Sequence, residues 1–167
     1  LAQWPEVVAV PEVAAAGRGQ AWVVGPGLGT DEAAVTALMW VLNTDLPVIV
    51  DADALTILSA HPHLVGKREA PTVLTPHAGE YARLATGAGL PATSDTGAGR
   101  PATSDTGAGR PATSDTGDRV AAARRLADTL GATVLLKGNV TVIAEPRSAG
   151  GLTYLNPAGG SWAATAG

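Results

Sequence analysis

The feature that most constrains the fold is a recurrence of short, continuously apolar runs. AWVV (residues 21–24), PVIV (47–50), PTVL (71–74), ATVLLK (132–137) and TVIAE (141–145) are too short and too β-branched for helices. Between them lie segments with helical signals. After the first run, Thr30 is an N-cap candidate, with Asp31 and Glu32 in the first turn, where the helix dipole favours acids. Val35, Leu38, Met39 and Leu42 then recur at the spacing of one helical face. A short helix is predicted over 53–60, and a longer one over 118–130. In the longer one Val120, Ala123, Ala127 and Leu130 share a face, and Gly131 stands at the C-terminal cap. Uninterrupted apolar strands separated by helices predict a parallel sheet covered on both faces, an α/β sandwich of the doubly wound kind.

Composition narrows the functional classes. Of the 167 residues, 46% are apolar and 16% charged, enough for one domain with its own core and unlike a disordered chain. The net charge of −4 argues against nucleic acid or an anionic membrane as a partner, since both select clustered Lys and Arg. No cysteine is present, which removes disulfides, thiolate metal sites and a Cys nucleophile. No run approaches a membrane span and no signal peptide is evident, so the expected location is the cytoplasm. The chain opens on Leu1 rather than Met, the pattern expected of a fragment or a processed product.

One segment departs from the alternation. The unit TGAGxPATSD occurs three times in tandem from Thr86 to Asp115, with Leu90 replaced by Arg100 and Arg110. It has almost no large apolar side chains, so burial cannot offset its ordering entropy. Residues 86–117 are therefore expected to form a flexible surface loop within a single domain spanning 1–167. The alternative is a loop that covers substrate or binds a partner.

In open parallel sheets ligands bind beyond the carboxyl ends of the strands. Four polar clusters fall there: GPGLG (25–29), DADAL (51–55), TPHAGE (75–80) and KGN (137–139). GPGLG allows close backbone approach to an anion at a helix N-terminus, or is simply a tight turn; its glycine spacing is not the dinucleotide fingerprint. Asp51 and Asp53, two apart, face one side if the backbone is extended. They could hold a metal, share a proton, bind a hydroxyl or cap the next helix. Lys137, one of two lysines, closes an apolar strand before a glycine, which suits a phosphate, although a solvated strand-end lysine would look the same. His61 and His63 lack a third ligand at metal spacing, so no metal site is assigned.

Taken together, GPGLG, DADAL, LTPHAGEYARL, LLKGNVTVIAEP and NPAGGSWAATAG resemble the ADP/ATP-dependent NAD(P)H-hydrate dehydratase family. That domain is the carboxy-terminal half of bifunctional nicotinamide nucleotide repair enzymes and has a ribokinase-like fold. The resemblance covers nearly all of 21–167 outside the repeat, and TPHxGE followed by Ala-Arg-Leu is its most specific part. It implies a three-layer α/β sandwich with a mostly parallel sheet, incomplete here at both ends. It further implies an enzyme that uses ADP or ATP, with Mg2+, to phosphorylate the hydroxyl of hydrated NADH or NADPH; loss of phosphate then restores the cofactor. Gly27, Gly29, Asp51 and His77 would contact the hydrated dinucleotide. Lys137, Gly138, Asn139, Val140 and Thr141 would line the adenosine nucleotide, and Gly160, Thr165 and Gly167 would begin its phosphate-binding turn. The family pattern continues past ATAG with Ser-Gly-Asp, whose Asp acts as base. That Asp lies beyond Gly167, so no catalytic residue is assigned and the fragment alone is expected to be inactive. An NAD(P)HX epimerase, fused or separate, is the implied partner, and self-association is left open. Two other functions fit the residues: a ribokinase-fold kinase for a small alcohol such as a vitamin precursor, and an inactive nucleotide-binding module. For His77, the alternative to ligand binding is a cap on the helix starting at Ala78.

Overall fold

The computed structural model describes residue 10 and residues 12–16, 19–91 and 112–157, with 112–117 described by backbone alone. Strands β1 (Trp22–Val24), β2 (Val48–Val50), β3 (Thr72–Leu74), β4 (Thr133–Leu136), β5 (Thr141–Ala144) and β6 (Thr153–Asn156) form one sheet in sequential order. Helices α1 (Glu32–Leu42), α2 (Ala52–Ala60) and α3 (Ala78–Gly87) follow β1, β2 and β3 in turn, and α4 (Ala112–Leu130) precedes β4.

β1 to β4 are parallel, in the registers Trp22↔Val48↔Thr72 and Leu74↔Val134. β5 and β6 are each antiparallel to the strand before them. The mostly parallel sheet is as expected, and its antiparallel edge has a simple cause. Only residues 137–140 separate β4 from β5, and a parallel pair would need a crossover of a dozen residues or more.

Parallel strands in sequential order, joined by right-handed crossovers, bring their helices to one face. That face carries the core. Val24, Val48, Val50, Leu74, Val134, Leu136, Val142 and Ala144 alternate inward and pack with Leu38, Leu55, Leu58, Tyr81, Leu84 and Leu126 of the four helices. On the opposite face Val23 is 66% and Ile49 41% exposed. The described residues therefore hold two layers, with helices on one face rather than both.

Local details differ from expectation in three places. The N-cap of α1 is Asp31 rather than Thr30; its carboxylate accepts from the Ala34 N–H at 2.8 Å. The buried stripe of α1 is Ala34, Leu38, Val41 and Leu42, while Met39 is exposed and Val35 only partly buried. Helix α4 begins at Ala112 instead of 118, inside the third repeat, and Thr86 and Gly87 of the first repeat close α3. Ala88 and Leu90 of the first repeat pack against the core, so the expected loop does not begin at 86, and residues 92–111 lie outside the described residues. At the amino edge of the sheet, away from the strand C-termini, Arg68 donates to the carbonyls of Leu42, Thr44 and Leu46 and to Thr72 Oγ1.

Candidate functional site

Backbone hydrogen bonds carry the parallel ladder one step past the strand ends and set the site residues side by side. Asp51 N–H donates to the Val24 carbonyl at 3.0 Å, Thr75 N–H to Val50 at 3.1 Å, and Lys137 N–H to Pro76 at 2.8 Å. The segments following β1, β2, β3 and β4 thus become neighbours although they lie far apart in sequence.

Asp51 is the N-cap of α2, yet its side chain makes no capping bond. Its Oδ1 instead receives Lys137 Nζ at 2.9 Å. Burial alone would raise the Asp51 carboxyl. The hydrogen bonds from Lys137 and Thr75, the Lys137 charge and the Ala52 N–H outweigh it and hold the carboxyl below its ordinary value. Two backbone features fix this corner. Ala52 has φ +49°, a left-handed conformation unusual outside glycine. A Cβ at Gly25 would lie 1.7 Å from the Asp51 carbonyl oxygen, so the end of β1 can approach this segment only as glycine.

Asp51 and Asp53 do not act as a pair. The turn at Ala52 sends them apart, and Asp53 Oδ2 accepts from the Gly29 N–H at 2.9 Å. That bond ties DADAL to GPGLG, whose Gly27 and Gly29 both have positive φ and open space where a side chain would stand. Among the described residues no group of three or more His, Cys, Asp or Glu side chains could hold a metal ion. His61 and His63 meet only edge to face, at 6.1 Å, outside this site.

His77 caps α3. Its Nδ1 accepts from Gly79 N–H at 2.9 Å and Glu80 N–H at 3.4 Å, while Glu80 Oε2 accepts from His77 N–H at 2.8 Å. This is a reciprocal capping box. An accepting Nδ1 leaves the ring proton on Nε2, which stands 3.6 Å from Glu80 Oε1 on a side chain 54% exposed. The cap therefore uses Nδ1, while Nε2 faces the Glu80 carboxylate and about half of the side chain stays exposed to solvent. Glu80, itself buried, also lies 3.9 Å from Lys137 Nζ and so links the His77 and Lys137 segments.

Lys137, Gly138, Asn139 and Val140 form the β4–β5 turn, with Gly138 and Asn139 exposed and Thr141 opening β5. Of the residues predicted for binding, His77 and Lys137 meet at Glu80 and Lys137 holds Asp51, while Gly29 is bound separately by Asp53. Gly160, Thr165 and Gly167 lie outside the described residues. Sequence reasoning left Glu80 and Arg119 without roles. Glu80 carried a signal, since Glu three residues after a cap is the capping-box spacing.

Residues 1–167 match the family model described as NAD(P)H-hydrate dehydratase (Carb_kinase). A bifunctional NAD(P)H-hydrate repair enzyme Nnr from Mycobacterium tuberculosis H37Rv is 62% identical over 167 residues, 100% of this chain and 29% of that relative. An ADP-dependent (S)-NAD(P)H-hydrate dehydratase from Neisseria meningitidis serogroup B is 39% identical over 153 residues, 88% of this chain and 42% of the relative. The chain thus spans less than half the length of these relatives. Among solved structures, an ADP/ATP-dependent NAD(P)H-hydrate dehydratase from Bacillus subtilis, co-crystallized with ATP/Mg2+, aligns with a TM-score of 0.54 at 34% identity. The alignment covers 83% of this chain and 39% of that one. A ribokinase-like superfamily protein from Enterococcus faecalis aligns with a TM-score of 0.55 at 25% identity, over 83% of this chain and 39% of that one.

Proposed function

This chain belongs to the NAD(P)H-hydrate dehydratase family, and from that membership we propose that the polypeptide carrying it uses ADP or ATP to return hydrated NADH or NADPH to the intact cofactor. The terminal phosphoryl group of the nucleotide moves to the hydroxyl on the hydrated ring. The C–O bond then breaks with loss of phosphate, and a ring proton leaves to restore the double bond. The observation that carries this reading is the convergence of Asp51, His77 and Lys137 at the carboxyl ends of three adjacent parallel strands.

The roles follow from what each group has free. The half-exposed imidazole of His77, with Gly27 and Gly29 facing unfilled space, takes the hydrated dinucleotide. Lys137 and the exposed turn of Gly138, Asn139 and Val140, with Thr141, take the adenosine nucleotide. Asp51 orients Lys137 and stands between the two halves. Every carboxylate of the cluster is already held: Asp51 by Lys137, Asp53 by Gly29 N–H and Glu80 by His77 N–H. None is assigned as the base; the resemblance gives that step to an Asp following this segment in the polypeptide. The described side chains build no cage for Mg2+, so no step is assigned to the ion, which would enter with the nucleotide phosphates. A linked epimerase activity and a cytoplasmic setting belong to the same reading; no helix among the described residues is long and apolar enough to cross a membrane.

The test is the full-length polypeptide with hydrated NADPH and ATP or ADP, following the near-ultraviolet absorbance of NADPH. Nucleotide-dependent recovery is expected, with a vitamin-type alcohol left unphosphorylated. If the alcohol is consumed while the hydrate is untouched, the site belongs to a small-alcohol kinase; ATP binding with neither reaction would identify an inactive nucleotide-binding module.

A further inference from the structure

Arg119 lies on α4 and is among the few buried charged residues described. Its Nη2 donates to the Leu136 carbonyl at 3.3 Å and the Lys137 carbonyl at 3.1 Å. These two carbonyls end β4, at the point where the chain leaves the ladder and enters the turn. The guanidinium also underlies the next residue. A Cβ on Gly138 would lie 2.5 Å from Arg119 Nη2 and 3.0 Å from its Cζ. Gly138 has no positive-φ requirement, so a side chain there would not strain the backbone but would have to displace the Arg119 guanidinium.

We infer that Arg119 is a positioning residue for the nucleotide half of the site, a role that rests on the assignment of residues 137–141 to the adenosine nucleotide. Its Nη2 donates to both carbonyls at the end of β4 and fixes the direction in which the turn departs. The same contact sets the base of the Lys137 side chain, so that Nζ reaches Asp51 and the turn amides hold one arrangement. Without the guanidinium the Leu136 and Lys137 carbonyls lose a charged donor, and the turn loses the group against which Gly138 packs. Arg119 touches no ligand in this account; it acts through Lys137 and Gly138.

The test uses the full-length polypeptide, with ATP and hydrated NADPH as separate probes in isothermal titration. Arg119→Met is expected to weaken ATP binding about 10-fold or more, the consequence of losing charge-assisted hydrogen bonds. Hydrated NADPH affinity should fall clearly less than ATP affinity, since only the Lys137–Asp51 contact reaches its half of the site. Arg119→Lys, which keeps the charge but lacks the length and planar body of the guanidinium under Gly138, should fall between wild type and Arg119→Met. Gly138→Ala should weaken ATP on its own, and the double variant Arg119→Met with Gly138→Ala should be no weaker than Arg119→Met alone. Sub-additivity of this kind is not expected if Arg119 merely stabilises the fold. Additive losses, or an Arg119→Met protein with a lowered melting midpoint and normal ATP affinity, would overturn the inference. If Arg119→Met does not fold, Gly138→Ala decides: unchanged ATP affinity there refutes the tight seat. Lys137→Ala separates the two levels. Normal ATP affinity in that variant defeats the nucleotide assignment itself, whereas a weakened Lys137→Ala beside a normal Arg119→Met defeats only the role of Arg119.

Discussion

Lys137 Nζ sits 2.9 Å from Asp51 Oδ1 across 86 residues of sequence. One partner follows β4 and the other follows β2, with the β3 segment between them supplying Glu80 at 3.9 Å from the same ammonium. The ion pair thus crosses the line of β3, whose following helix α3 is capped by His77. It joins the residue assigned to the nucleotide with one assigned to the hydrated dinucleotide, which gives the two halves of the site a shared contact. Both side chains are partly exposed, at 41% and 32%, so the pair is worth under about 1 kcal/mol to the fold. Its consequence lies in orientation more than in stability.

The acid side of the stability profile should report Asp51. A carboxyl held below its ordinary value, about 3.9, is harder to protonate folded than unfolded. It therefore stabilises the fold above that pH and ceases to do so as pH falls through the folded value. Asp51→Asn should lower the urea midpoint of the full-length polypeptide slightly at pH 7, and the difference from wild type should vanish towards pH 2. A difference that persists unchanged at pH 2 would mean that the substitution acts through packing and not through the charge.

His77 has two functions that substitution can separate. Ala at this position removes the cap of α3 and should cost about 1 kcal/mol of stability, as loss of an N-cap side chain typically does. Asn is itself a good N-cap and should restore that stability. Neither variant retains an imidazole edge for the dinucleotide, so both should bind hydrated NADPH about 5- to 150-fold more weakly than wild type, the range for one lost buried hydrogen bond. Should His77→Asn bind hydrated NADPH normally, His77 is a cap and nothing more.

The carboxyl-end clusters could be read from sequence because strand, break and helix signals there are local. Asp51, His77 and Lys137 each close an apolar run, and a parallel sheet must gather such positions at one edge. What the sequence did not disclose depends on contacts between distant segments. Arg119 is simply a polar position in the periodicity of α4, and nothing local marks it as buried beneath Gly138. Strand β6 is a four-residue edge strand, mostly exposed and next to Gly150 and Gly151, so neither burial nor alternation announces it. The reversal at β5 was available in principle, since four intervening residues cannot cross over a sheet. The single-sided helix layer follows from sequential strand order, which local patterns do not encode.

The tandem repeat should tolerate shortening. Removing one ten-residue unit, 92–101, spares every described residue and leaves the sequence around Pro91 unchanged. Halving the 20-residue connection between Pro91 and Ala112 lowers its closure entropy cost by about 0.6 kcal/mol. The thermal midpoint should stay constant or rise by a few degrees. A fall of many degrees would show that 92–101 contributes to the packed core, contrary to what its composition predicts.

Ala52 offers the most direct test of the corner that presents Asp51. Its φ of +49° is a conformation that alanine reaches at a cost of about 1–2 kcal/mol and that a β-branched residue avoids more strongly. The segment cannot relax towards β1, because the Asp51 carbonyl already abuts Gly25. It cannot easily relax along the chain either, since Asp51 is held by Lys137 and Asp53 by the Gly29 amide. Ala52→Gly should therefore be neutral or stabilising by up to about 1 kcal/mol, the relieved strain being offset in part by the entropy of the unfolded glycine. Ala52→Val should destabilise by about 1–3 kcal/mol and, by shifting Asp51, weaken both ligands together. Urea unfolding and titration of the two variants decide it. If valine is accepted at no cost in stability, the left-handed turn is not enforced by its surroundings, and the placement of Asp51 must come from the ion pair alone.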